Sequence, residues 1–155
     1  MNFTTAIVQL PLVREVGHER MTTPAEVARI CADIRDLAQE AFLVLTVNAK
    51  NRLINRHLVT VGILDASLVH PREVFGKAIG DQAAAVIIVH NHPSGETTAS
   101  AEDLRITRQL IEAGKILGIN VLDHVIIGRP IVPDGQQPGQ LGYLSIRESG
   151  MCAFV

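Results

Sequence analysis

Two short, almost uninterrupted apolar runs constrain the fold of this chain more than any other feature of its sequence. They are residues 41–47 (AFLVLTV) and residues 83–92 (AAAVIIVHNH). Runs of this length that are bounded by turn residues are typical of strands buried on both faces of a sheet. Helices must then cover both faces, so the pattern predicts an α/β fold with a mixed β-sheet flanked by helices.

The segments around these runs carry helix and strand signals. Helices are predicted where a capping residue or proline precedes apolar residues at helical spacing, namely over residues 23–39, 71–79 and 100–117, the last closed by Gly118. Further strands are predicted at residues 52–62, forming a hairpin with the first run, and at 120–127. Residues 4–15 and 141–147 are predicted as edge strands, and residues 128–142, rich in Gly and Pro, as an exposed loop.

Length and composition predict a single domain over residues 1–155. We expect residues 1–21 to form an N-terminal strand or extension and residues 22–149 to form the core. A chain of 155 residues, 47% of them hydrophobic, can bury a core without disulfides or metals as staples. Only 3% of the residues are aromatic, so this core must consist mainly of aliphatic side chains.

Charge and cysteine usage narrow the expected partners. Fourteen Lys and Arg against 16 Asp and Glu give a formal charge of −2 and no electrostatic footprint for nucleic acid. Cys31 and Cys152 are far apart and outside any CxxC pair, which favours two small buried residues. No signal peptide or membrane span is visible, so we expect a cytoplasmic protein. An exposed edge strand could pair with a second copy, which makes a homodimer one option.

The chemistry concentrates where the second apolar run ends, at His90 and His92. Alternating side chains of a strand place both imidazoles on one side, a spacing that suits two ligands of one metal ion. Pro93 and Gly95 then break the strand, which places the pair at its carboxyl end, where open α/β sheets tend to bind ligands. The alternative is a hydrogen-bonded pair without a function, and the residues alone favour neither reading.

Asp103 enters from the following predicted helix. With Ser100 as N-cap, Asp103 occupies the first turn, at the top of an apolar stripe that continues through Ile106 and Leu110. Two histidines and one aspartate would supply the three protein ligands of a catalytic zinc site, with the fourth position left for water. Taken alone, however, Ser-x-x-Asp is close to a capping box, and Asp103 could be only a helix cap.

The complete pattern resembles a known family. His-x-His, seven residues, Ser, two residues and Asp is similar to the signature of the JAMM (MPN-plus) metalloprotease superfamily. The longer strings HNHPSG, upstream HPREVF and downstream LDHVIIG resemble its bacterial RadC branch, over residues 22–149. The resemblance implies a JAMM/MPN-like fold, related to that of cytidine deaminases. It also implies a zinc-dependent hydrolase, a metallopeptidase or isopeptidase, acting on a peptide or isopeptide substrate.

The resemblance also implies site residues. His90, His92 and Asp103 match the ligands of one Zn²⁺ per chain. Ser100 matches the serine that stabilises the oxyanion, and Glu40 matches the acid that takes a proton from activated water and returns it to the leaving amine. Judged without the family, Glu40 would be only a solvated acid at a helix end.

Three points limit what is carried over. Longer family members begin with a helix-hairpin-helix domain, for which we expect no room in this chain, so any DNA association attributed to that domain is not carried over. The family name refers to DNA repair, so a DNA-transaction factor is the alternative function. The net negative charge of the chain does not support this alternative. His124, in LDHV, could either approach the site as a second-shell partner or be a core histidine, whereas His18, His57 and His70 receive no role.

Overall fold

A computed structural model describes residues 19–62, 69–130 and 142–155. Within these residues, five strands form one mixed sheet in the order β2-β1-β3-β4-β5, in which β3 and β4 are parallel and all other neighbours antiparallel. The strands are β1 (Glu40–Val47), β2 (Leu53–Gly62), β3 (Ala85–Asn91), β4 (Asn120–Ile127) and β5 (Tyr143–Ser145). The helices are α1 (Pro24–Ile30), α2 (Pro71–Gly80), α3 (Ala101–Leu117) and α4 (Ile146–Ser149), with a 3₁₀ turn at Ala32–Ile34.

Both faces of the sheet are covered, as the two apolar runs predict. On one face, alternate residues of β1 and β3 such as Val44 and Ile88 pack in a core cluster with Ile106 and Leu110 of α3. The intervening residues, such as Leu45 and Ile87, pack on the other face with α1 and the 3₁₀ turn. Every residue of β3 is buried. The expected α/β architecture is therefore confirmed, and α3 is the helix that faces the ends of β3 and β4.

The first helix is shorter than predicted. Instead of continuing to residue 39, α1 ends at Ile30, and Cys31 leaves the helical conformation before the 3₁₀ turn. In a 3₁₀ turn, residues three apart lie above one another. Cys31 and Ile34 are consequently both fully buried, whereas Ile30, on the stripe of a continuous α-helix, is only partly buried.

The prediction of one edge strand over residues 141–147 is partly wrong. Strand β5 has three residues, and the chain then turns into α4 because the Ser145 hydroxyl accepts a hydrogen bond from the Glu148 N–H at 3.0 Å. The predicted edge strand at residues 4–15 and most of the predicted loop at 128–142 lie outside the described residues. No helix among the residues that the structure describes is long and apolar enough to cross a membrane.

A polar cluster around Asp81 ties the β1–β2 hairpin to the end of α2. Its carboxylate accepts hydrogen bonds from the Thr46 hydroxyl at 2.7 Å, from the Asn55 side chain at 3.0 Å and from His57 Nε2 at 2.6 Å. Partial burial alone would raise the pKa of Asp81, but these hydrogen bonds outweigh it and lower the pKa below its ordinary value of 3.8. Ionised Asp81 therefore stabilises the folded state.

We predict that this stabilisation is lost in acid. Because the folded-state pKa of Asp81 lies below the unfolded value, its contribution is present above about pH 4 and disappears as the pH falls through the folded pKa. Asp81→Asn should lack that component and lose about 1–3 kcal/mol of unfolding free energy at neutral pH. Urea unfolding between pH 3 and 7 measures both effects. The control Asp36→Asn, at an 83% exposed side chain, should change stability by less than about 0.5 kcal/mol, and equal acid slopes for wild type and Asp81→Asn would contradict the prediction.

Candidate metal centre

The end of β3 delivers two histidines to the face of the sheet that carries α3. His90 is completely buried opposite Phe42 of β1, and the two rings are stacked with centroids 6.1 Å apart. Asn91 points to the opposite side, where its amide oxygen accepts the Ala41 N–H at 2.6 Å and its NH₂ donates to the Gln39 carbonyl at 3.0 Å. These bonds end the ladder between β1 and β3, and His92 follows directly.

Asp103 is both a helix cap and a member of the cluster. The Ser100 hydroxyl accepts the Asp103 N–H at 3.1 Å, and the Ser100 N–H donates to Asp103 Oδ2 at 2.8 Å, which is the reciprocal pair of a capping box. The side chain of Asp103 is only 2% exposed. The capping interpretation of this residue is confirmed, and the cap also aims the carboxylate at the histidines, as the ligand interpretation requires.

Three ligand-type side chains converge at one point. His90 Nε2 and His92 Nε2 are 2.9 Å apart, and they lie 3.2 and 3.1 Å from the two carboxylate oxygens of Asp103. A tetrahedral ion with bonds of about 2.0–2.1 Å spaces its ligand atoms by roughly 3.3 Å. The two histidines approach different oxygens of the carboxylate, and one ligand atom from each of the three residues lies within 4.8 Å of the others, so these residues are positioned to bind one metal ion.

The tautomer of His92 is fixed by a backbone carbonyl on the side of the ring away from Asp103. Its Nδ1 lies 2.8 Å from the Glu96 carbonyl oxygen, which can only accept, so Nδ1 carries the proton. In the neutral ring, Nε2 then presents its lone pair to Asp103 and His90. The lone pair of His92 Nε2 and the Asp103 carboxylate are both electron-pair donors that face one another. A bound metal cation would interact favourably with both.

The electrostatics of the cluster favour positive charge. Burial alone would raise the pKa of Asp103, but the adjacent imidazoles of His90 and His92 outweigh it and hold the pKa well below its usual range. Burial alone would lower the pKa of His92, but Asp103, the Glu96 carbonyl and the charge of Glu40 raise it above 6.5. An ionised carboxylate and an adjacent imidazole with raised proton affinity form a site that attracts cations.

Glu40 and Ser100, the two residues matched only through the family, both lie at the edge of this cluster. The antiparallel register pairs Phe42 with His90, so Glu40, two residues earlier in β1, is on the same face toward His92. The negative charge of Glu40 is the smallest of the influences that raise the pKa of His92. Ser100 is exposed at the start of α3, one helical turn before Asp103.

His124 lies behind His90 rather than in the ligand cluster. Its Nε2 is 2.7 Å from His90 Nδ1, and its Nδ1 is 2.6 Å from the Thr107 hydroxyl. Complete burial lowers the pKa of His124 well below 6.5, which favours the neutral ring. Both sequence interpretations of His124 fit, because it is a fully buried histidine with both ring nitrogens hydrogen-bonded and one of its partners is the candidate ligand His90.

The loop after His92 is held against the end of β4. The His92 N–H donates to the Ile127 carbonyl at 2.9 Å, and the Arg129 N–H donates to the Gly95 carbonyl at 2.8 Å. Gly128, between these contacts, is buried, and an added Cβ would overlap the Gly95 carbonyl oxygen. Close approach of two backbones therefore requires glycine at this position.

Two features of the site have no sequence signal or only a weak one. The Glu96 carbonyl, which fixes the His92 ring, is a backbone group that any residue could supply. Thr107 could have been noticed, because it follows Asp103 by four residues and thus shares its helix face. Its partner in the next strand, however, is set by the tertiary structure.

The fold and the site together define the class of this protein. A five-stranded mixed sheet with helices on both faces presents a His–His–Asp cluster of the JAMM type at the end of its central parallel strand pair. The family model described as "RadC-like JAB domain" matches residues 21–151. The chain therefore belongs to the RadC family of JAB-domain proteins.

Curated relatives carry names without an activity. A "UPF0758 protein" of Pelobacter propionicus is 50% identical over 134 residues, which are 86% of this chain and 54% of the relative. Proteins of the same name from Desulforamulus reducens and Alkaliphilus metalliredigens are 46% and 42% identical, over 78% and 92% of this chain and 58% and 57% of their own length. The chain thus spans little more than half the length of these relatives.

We predict that Asp103→Asn separates capping from metal binding. The amide oxygen can still accept the Ser100 N–H, so the helix should form, but the charge that holds a cation is removed. Metal affinity should fall by more than the roughly 10–100-fold typical of outer-shell partners. Competition with a chelating dye measures affinity, and circular dichroism verifies the fold. The neighbouring Glu102→Gln, on the exposed side of the same turn, is the matched control and should bind as wild type does.

We also predict that Gly128→Ala disturbs the loop that carries His92. The added methyl group must displace the Gly95 carbonyl, at a cost of about 1–3 kcal/mol of unfolding free energy together with weaker metal binding. Gly76→Ala is the control, because nothing lies within 4 Å of a Cβ there and the helix should gain about 0.5–1 kcal/mol. Thermal unfolding and metal titration of both variants test this difference. Unchanged metal affinity in Gly128→Ala would contradict it.

Proposed function

We propose that this protein is a zinc-dependent hydrolase that cleaves a peptide or isopeptide bond. The observation that supports this most directly is the convergence of His90 Nε2, His92 Nε2 and the Asp103 carboxylate. Three protein ligands of this type are the composition of catalytic zinc sites, which keep one position for water or substrate, whereas structural zinc sites use four protein ligands. Membership of a JAB-domain family points to the same class of activity.

Two nitrogens and one carboxylate form a donor set that suits zinc. Imidazole ligands favour zinc and later transition metals over magnesium or calcium, which prefer oxygen. A bound zinc ion would supply Lewis-acid chemistry by polarising the scissile carbonyl and lowering the pKa of water from 15.7 to about 7. The remaining steps would fall to side chains of this chain.

Glu40 is proposed as the general base and acid. It lies on the His92 side of the cluster, and its charge acts on the His92 ring. A carboxylate in that place can take a proton from the attacking water as the C–O bond forms. The same group can then give the proton to the leaving amine as the C–N bond breaks, which balances the reaction.

Ser100 is proposed to stabilise the oxyanion. Its hydroxyl oxygen accepts the Asp103 N–H, a bond that leaves the hydroxyl proton for a different acceptor. Because Ser100 is exposed where α3 begins, it could donate this proton to a substrate oxygen that becomes negative in the transition state. The N-terminal end of α3 would add a favourable electrostatic field.

A DNA-transaction role is not favoured. Sixteen acidic residues outnumber 14 basic ones, and phosphate binding depends on clustered cations.

We predict that Glu40→Gln abolishes hydrolysis without releasing the metal. Loss of a general base costs about 10²–10⁴-fold in rate, whereas all three proposed ligands are retained. The zinc-loaded protein would be assayed against fluorogenic peptide and isopeptide libraries, with zinc content measured by atomic emission. Glu96→Gln, an exposed acid in the loop after His92, is the matched control and should keep its activity.

Two results would contradict the proposal. One is a purified protein that does not bind stoichiometric zinc, or whose zinc content is unchanged when Asp103 is substituted. The other is cleavage that persists in Glu40→Gln at the wild-type rate, since the proton transfer would then run through another group.

A further inference from the structure

A buried chain of hydrogen bonds joins two of the proposed metal ligands through residues that do not contact the metal position. It runs from His90 Nδ1 to His124 Nε2 at 2.7 Å, from His124 Nδ1 to the Thr107 hydroxyl at 2.6 Å, and from that hydroxyl to the Asp103 carbonyl at 2.6 Å. His90, His124 and Thr107 are each 0% exposed. Solvent therefore cannot substitute for any link.

The direction of the chain is set at its Thr107 end. The hydroxyl has one proton, and it donates that proton to the Asp103 carbonyl, which can only accept. The Thr107 oxygen must then accept from the other neighbour, so His124 Nδ1 carries a proton and donates it. One backbone carbonyl thus determines the tautomer of His124.

The remaining links follow from the chemistry of the imidazole ring. A neutral His124 that is protonated at Nδ1 has a bare Nε2, which can only accept. His90 Nδ1 must therefore be the donor of the 2.7 Å hydrogen bond. In a neutral ring, this leaves His90 Nε2 with its lone pair directed at Asp103 and His92, as a metal ligand requires.

We propose that Thr107 and His124 are positioning residues that lock His90 in the Nδ1–H tautomer and present its Nε2 to the metal. The inference rests on the metal site of the proposed function and adds to it the control of one ligand. The chain also connects β3, which carries His90, through β4 to α3, which carries Asp103. The same hydrogen bonds consequently hold His90 of β3 and Asp103 of α3 in fixed positions relative to one another.

The two histidine ligands are controlled in different ways. His92 is oriented by a single bond to a backbone carbonyl of an exposed loop residue, Glu96. His90 depends on two side chains in the core, and the Phe42 ring packs against both imidazoles of this pair, with centroids 6.1 Å from His90 and 5.9 Å from His124. Substitutions at Thr107 and His124 should therefore act on His90 and leave the orientation of His92 unchanged.

The first test replaces the hydroxyl that sets the direction. Thr107→Val keeps the size and shape of the side chain but removes the acceptor for His124 Nδ1–H, whereas Thr107→Ser keeps it. We expect Thr107→Val to weaken zinc binding about 10–100-fold, as measured by chelator competition, and Thr107→Ser to restore most of it. Thr46→Val is the matched control, because it removes another fully buried threonine hydroxyl from the Asp81 cluster, away from the metal position.

The second test concerns His124 itself. In His124→Gln the amide oxygen can replace the Nε2 acceptor, whereas His124→Leu, of similar size, cannot accept. We expect Leu to weaken zinc binding and Gln to retain most of it, with the unfolding of the metal-free proteins measured in parallel. In the wild-type protein, long-range ¹H–¹⁵N correlation spectra should show His124 protonated at Nδ1. This last measurement uses the wild-type protein, so it tests the predicted tautomer of His124 even if His124→Leu does not fold.

The outcomes separate this inference from the proposed function. A His124 protonated at Nε2, or a Thr107→Val protein that loses no more zinc affinity than Thr46→Val, would overturn the inference. Zinc affinity that depends on Thr107 and His124 in a protein that cleaves no peptide would contradict only the proposed hydrolysis. A wild-type protein that binds no zinc would contradict the proposed function, while the tautomer of His124 would still report on the hydrogen-bond chain.

Discussion

The capping box at the start of α3 is the interaction on which the site depends. Ser100 and Asp103 exchange two hydrogen bonds there, and the geometry of this exchange fixes the Asp103 carboxylate against the sheet. An aspartate without the cap could rotate among several conformers at a cost in entropy each time it bound a cation. The same two hydrogen bonds therefore begin the helix and orient the Asp103 carboxylate, so no further interaction is needed to orient it.

Burial of polar groups imposes the rest of the arrangement. Few polar side chains lie in the core between the sheet and α3, and each has hydrogen-bond partners, since an unsatisfied buried group would cost about 1–3 kcal/mol. His90 is one of those that are completely buried, and among the described residues its Nδ1 has His124 as its hydrogen-bond partner. Hydrogen bonds therefore link His90 to His124 of β4 and His124 to Thr107 of α3. These bonds also restrict the tautomers of both histidines.

Sequence patterns predicted most of the elements and failed where local geometry changed. The strands β1, β3 and β4 and the helix α3 were predictable within a few residues, because their apolar periodicity is strong and their ends carry capping residues or glycine. The end of α1 was not, since apolar spacing alone does not distinguish an α-helix from a helix that continues as a 3₁₀ turn. The edge strand predicted at residues 141–147 is too long because Ser145 ends β5 and caps α4.

The sequence by itself determined that His90 and His92 lie on one side of a strand end, since alternation along a strand is a local property. It also determined the capping motif of Asp103, but left open whether this residue was more than a cap. Only the tertiary structure decided that Asp103 faces both imidazoles, that Glu40 shares a sheet face with His90, and that His124 and Thr107 stand behind His90. These contacts join residues from β1, β3, β4 and α3, and their distances depend on how the helix packs on the sheet, which no local pattern encodes.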